Sequence, residues 1–144
     1  MRTIPDPGFP GDVGEADPGL AAALAAFDRA PQEESARLAV LDRLRAARLL
    51  VPVVAILGEV EDGHEKSSDM AAVLMKGRDG RTALLAFTGT SALQGWDAEA
   101  RPVPVTARHA AQAAIQDQAD ALLIDVAGPA MFVVEGQDLT TLAT

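Results

Sequence analysis

The chain has 144 residues, 49% of them hydrophobic but only 3% aromatic. That length fits one domain burying roughly 70% of its unfolded surface, in a core of Ala, Leu and Val. A net charge of -9 excludes nucleic acid and anionic membranes as expected partners, because both are bound by pairing Lys and Arg with phosphate. The absence of cysteine excludes disulfides, thiol catalysis and cysteine-ligated zinc.

Residues 1–16 carry Pro5, Pro7, Pro10, Gly8, Gly11 and Gly14 and are expected to form a flexible tail, disordered or draped over the surface, with 17–144 as a single domain. The N-terminus lacks the apolar centre of a signal peptide, and the longest apolar run, Leu49 to Leu57, is too short to span a bilayer. A cytoplasmic protein without membrane contact is the expectation. Abundant Ala and Arg, with no Asn and no Tyr, suit a GC-rich bacterial genome.

Asp17-Pro18 marks a helix start, with Asp as N-cap and Pro at the first helical position. That helix should run to about Arg29. Pro31 should open a second one, with Glu33 and Glu34 in its first turn, Leu38, Leu41, Leu44 and Ala47 as its apolar stripe, and Arg43, Arg45 and Arg48 late, facing the negative end of the dipole. The run LLVPVVAIL reads as a strand. Pro52 cannot donate to a ladder, so this strand should lie at an edge or begin after Pro52.

Ala71 to Met75 and Thr82 to Phe87 are short apolar runs around Gly77-Arg78-Asp79-Gly80, an antiparallel hairpin signal. Ser91 stands three residues before Gln94, a capping box for a short helix ending near Trp96. Arg101 to Pro104 favours an extended connection. Thr106 caps a helix over Ala107 to Gln118, with Ala107, Ala110, Ala111, Ala114 and Ile115 on its apolar face. Ala121 to Val126 is a strand containing Asp125. Gly128-Pro129 turns the chain, Met131 to Val134 is another strand, and Gly136 to Ala143 a closing helix. The expected fold is α+β: a five- or six-stranded mixed sheet with an antiparallel hairpin, helices packed on it, and an N-terminal helical pair.

No complete catalytic motif is spelled out. The loop Glu59 to Glu65 holds carboxylates and His64, but its spacing matches no metal-binding template, so a solvated loop is the preferred reading and no metal or cofactor is expected. Thr88, Gly89, Thr90 and Ser91 lie between a strand end and a helix start, where backbone N–H groups can hold an anion. There is no Walker lysine, and ordinary capping accounts for every one of these residues, so it is the preferred reading. Arg101 is the candidate counter-charge. Ser91 lacks the context of a nucleophile elbow, and His109 sits on a polar helix face. Asp125 in an apolar strand needs hydrogen bonds or a charge partner, with Arg101 or Arg108 as candidates. Trp96 is read as core, with an interface role as the alternative.

Asp79-Gly80-Arg81, Leu85-Ala86-Phe87-Thr88, and then Leu93 and Trp96, resemble the SseB protein N-terminal domain family. The similarity extends to Ala100 to Val105 and Leu123 to Pro129, and takes in Glu65 to Met70, which looks like the actinobacterial branch. It covers about residues 35–143. Val126 departs from the family, whose members often have Pro before Ala-Gly. The resemblance implies a cytoplasmic α/β domain of unassigned molecular function with no catalytic residues to carry over. The family's C-terminal domain is expected to be missing.

The leading expectation is a non-enzymatic binding or protein-interaction module, with a protein partner or self-association, supported by an alanine face suited to close packing or self-association. The alternative is a small-molecule-binding regulatory domain whose pocket involves Thr88, Thr90, Ser91, Trp96, Arg101 and Asp125. A hydrolase-type enzyme ranks third, because it requires Asp125, His64 or Ser91 to converge on a common cleft.

Overall fold

The structure, a computed structural model, describes residues 11–57, 60–61, 64–65 and 68–144. Two helices come first, α1 (Pro18–Arg29) and α2 (Glu34–Leu44). The Asp17 carboxylate accepts from the Leu20 N–H at 2.8 Å, which is the expected N-cap. Helix α2 ends at Leu44, and Arg48 is already the first residue of strand β1 (Arg48–Leu57). Its inward face also differs from expectation. Val40 and Leu44 are buried, whereas Leu38 is 50% exposed, because α2 turns the 40/44 row toward the core.

The strands form two main sheets. Strand β1 lies between β4 (Ser68–Ala72) and β7 (Arg101–Thr106), both antiparallel to it. The second sheet has the order β5 (Leu74–Lys76), β6 (Thr82–Ala86), β8 (Ala121–Ile124), β9 (Phe132–Glu135). There β6 and β8 are parallel and the two outer pairings antiparallel. Short strands β2 (Val60–Glu61) and β3 (His64–Glu65) pair with each other. The architecture is thus α+β with an N-terminal helical pair, but its strands divide between sheets instead of forming a single one.

Pro52 explains part of that division. It sits inside the central strand of its sheet, opposite Pro102, contrary to the expected edge position. Its carbonyl accepts from the Val73 N–H at 3.3 Å, but a proline has no N–H to return to the Val73 carbonyl. Leu85 of β6 fills that vacancy, donating to the Val73 carbonyl at 3.1 Å. The expected single strand over Ala71 to Met75 therefore breaks at Val73, with β4 on one sheet and β5 on the other. A second seam joins the sheets where Leu50 and Phe87 exchange both backbone bonds, at 2.7 and 2.8 Å. The edge prolines are Pro102 and Pro104 on β7, where a missing donor leaves no ladder bond unmade.

Side-chain alternation along the strands builds two cores. Leu49, Val51, Leu84, Ala86, Leu122 and Ile124 face helices α1, α2, α4 (Ala107–Gln116) and α5 (Gly136–Ala143). On the opposite face Leu50, Leu85 and Phe87 meet Leu93 of α3 (Thr90–Trp96). Thr106 caps α4 by accepting from the His109 N–H at 3.0 Å. Ala107, Ala110, Ala111 and Ala114 are buried, but Ile115 is 45% exposed. At about 100° per residue it falls at the margin of the alanine stripe. The β5–β6 hairpin turns as expected, with Gly80 at φ 85.

A candidate ligand-binding cavity at the ends of the parallel strands

Two chain segments leave the C-terminal ends of β6 and β8 side by side. After β6 come Phe87, Thr88 and Gly89. After β8 comes Asp125, outside the strand that was expected to contain it. Asp125 has φ 54, in the left-handed region that short polar side chains tolerate best after glycine. Its N–H still bonds the Ala86 carbonyl at 3.0 Å, extending the parallel ladder by one rung. Its carboxylate then turns back onto Thr88. Oδ1 accepts from the Thr88 N–H at 2.8 Å and Oδ2 from the Thr88 hydroxyl at 2.7 Å. Both residues are buried. Burial pushes the Asp125 carboxyl above its ordinary range, and the Thr88 N–H and hydroxyl pull it partly back. The expected arginine partner is replaced by one threonine.

The segment before α1 completes the surroundings. Residues 11–16, part of the expected tail, lie as a strap along the start of α3. The Gly14 carbonyl accepts from the Thr90 N–H at 2.7 Å. Helix α3 is capped by Gly89, with no side-chain cap from Ser91. A Cβ on Gly89 would stand 2.7 Å from the Ala16 nitrogen and 2.9 Å from the Gly14 oxygen, so the strap needs glycine there. Arg48 ties the strap down. Its side chain, 11% exposed, holds Asp12 at 2.7 Å and donates to the carbonyls of Glu15 at 2.5 Å and Thr88 at 2.9 Å. The Gly14 N–H, and then Arg48, hold the Asp12 carboxyl below its ordinary value.

Strap, α1 and the two strand ends border a half-open cavity of about 710 Å³. Val13 to Ala16 form one wall, and Ala21, Leu24, Ala25, Asp28 and Arg29 of α1 another. Thr88 to Ala92, Asp125, Pro129 and Ala130 complete it. The structure therefore brings Thr88, Thr90, Ser91 and Asp125 together. Trp96 and Arg101 lie elsewhere. Trp96 is half-buried against Phe87, ring centroids 5.6 Å apart, in the core beneath α3. Arg101 is exposed at the start of β7, opposite Val53.

Sequence reasoning missed the α1 wall, although Ala21, Leu24, Ala25 and Asp28 follow the i, i+3, i+4, i+7 spacing of one helix face. Arg48 carried no usable signal, since its partners come from distant segments. Within the acidic segment Glu59 to Glu65, expected as a solvated loop, the backbone of Val60–Glu61 pairs with that of His64–Glu65 as β2 and β3; its other residues and the His64 side chain lie outside what the structure describes. Among the described residues no cluster of three or more His, Asp or Glu is placed to hold a metal, and no helix is long and apolar enough to cross a membrane. His109, expected on a polar helix face, is exposed on α4.

The model of the SseB protein N-terminal domain matches residues 20–141. This chain belongs to that family. The match begins inside α1, earlier than the sequence resemblance suggested, and takes in both that helix and the strand ends that line the cavity. The strap of this SseB domain precedes it. No curated protein and no solved structure is significantly similar to the chain.

Proposed function

We propose that this SseB domain is a non-enzymatic binding module that holds a small molecule in the cavity at the C-terminal ends of β6 and β8. One observation carries the reading: a cavity of about 710 Å³ opens where parallel strands end. Crevices in that position are the usual ligand sites of sheets with parallel strands. The volume also suits a drug-sized ligand, and largely apolar walls with a few polar groups are typical of such sites. Thr88 and Asp125 sit where they orient a ligand without any covalent step. The expected setting, the cytoplasm of an actinobacterial cell, is part of the same proposal.

Native mass spectrometry of gently isolated protein tests the reading. An added small mass is expected, and Ala25→Trp, which fills the cavity from the surface of α1, should remove it. A bare mass from both proteins, with no small-molecule fragment disturbing the amides of residues 88–92, would overturn the proposal. A protein partner is the second reading. It is supported by Met131 and Val133, 50% and 41% exposed near the free edge at β9.

A further inference from the structure

Asp125 is a buried carboxylate, 2% exposed, and among the described residues it belongs to no ion pair. Buried charges are ordinarily paired, because desolvating an unpaired one is costly. The two Thr88 bonds satisfy one acceptor position on each oxygen, and an ionised carboxylate offers about four. Asp125 is part of the cavity lining. The other charged residues of that lining are Glu15, Asp28 and Arg29, so carboxylates outnumber guanidinium groups around it by three to one. Leu24, Ala25 and Ala130 supply apolar surface in the same space.

We infer that the cavity takes an organic cation, an ammonium head on an apolar body, with the head against the Asp125 carboxylate. The inference rests on the binding function proposed above and adds the ligand's chemical class. The ammonium supplies the counter-charge that the fold leaves out, and its N–H groups meet the free acceptor positions. The body covers the apolar wall of α1. A carboxylate or phosphate ligand would instead meet Asp125 with like charge.

Three probes that share one phenyl body test this: phenethylammonium, phenethyl alcohol and phenylacetate, each titrated into the whole protein while backbone amide NMR shifts are followed. Phenethylammonium should move the Thr88 and Asp125 amides and bind about tenfold tighter than the alcohol, the usual gain of a charge-assisted over a neutral hydrogen bond. Phenylacetate should leave those amides unmoved. In Asp125→Asn the preference for ammonium over alcohol should vanish. If that variant fails to fold, the ratio measured on the parent protein still decides. Equal binding of ammonium and alcohol at the same amides would overturn the cation inference and leave the cavity a binding site. Failure of phenethylammonium to move them would also overturn it, and the captured mass would then decide the binding function separately.

Discussion

At the residue scale, the Thr88–Asp125 pair combines burial, an unusual backbone angle and a place beside the cavity. Burial raises the Asp125 carboxyl above its ordinary value of 3.8, so the folded protein holds that proton more tightly than the unfolded chain. Its contribution to stability is present below pH 3.8 and is lost as pH rises through the folded value. Asp125→Asn, which also suits a left-handed backbone, should therefore melt higher than the parent at neutral pH, and the difference should close in acid. Calorimetric scans across pH check this. A parent more stable than the variant at pH 7 would show the ionised form to be favoured by folding. Thr88→Val keeps the side-chain shape but leaves Oδ2 without its donor. It should cost about 1.5–3 kcal/mol in urea denaturation, the range for hydrogen bonds to charged groups.

At the scale of elements, the strap before α1 is held by few contacts, and each involves a distant segment. Arg48 begins β1, Thr90 begins α3, and Gly89 makes room between them. Replacing Arg48 by Met removes the ion pair to Asp12 and the bond to the Glu15 carbonyl. The Thr90 amide should then exchange with deuterium about tenfold faster, as the loss of one such anchor lowers the local opening energy by ~1.4 kcal/mol. Gly89→Ala should do the same by pushing the strap away, while the α4 amides keep their protection. Uniform acceleration across the chain would mean that the strap does not open separately. The Ser91 capping box illustrates why this element was not legible. The Ser-x-x-Gln pattern is local, but the group that takes the Thr90 N–H is a carbonyl far earlier in the chain.

At the scale of the molecule, β1 and β6 each serve both cores, with Phe87 and Leu50 at the seam. Phe87 is fully buried, so Phe87→Ala should cost about 3–5 kcal/mol. Trp96 is half-buried against it, and Trp96→Ala should cost less, about 2 kcal/mol on the same scale. Because the strands are shared, the two cores should unfold together. The fluorescence of Trp96, which reports the smaller core, should follow the same denaturation curve as far-ultraviolet circular dichroism. Separate midpoints would show that the sheets come apart independently.

The sequence by itself determined the elements whose signals are local. The Asp17-Pro18 start, the Thr106 cap, the Asp79-Gly80 hairpin and the alanine face of α4 are set by side chains within a few residues of the backbone they act on. Family membership was legible for a similar reason, in short motifs along β6, α3 and β8. Only the tertiary structure decided the rest. Whether the missing N–H of Pro52 is tolerated in a central strand depends on what else donates to the Val73 carbonyl, and Leu85 does so from the other sheet. Whether Asp125 pairs with arginine depends on what stands at the end of the neighbouring parallel strand, and that residue is Thr88. The cavity lies between α1, a strap and two strand ends, so no single stretch of sequence outlines it. Its position follows from strand order, which is fixed by how apolar surface is shared between two faces of a sheet.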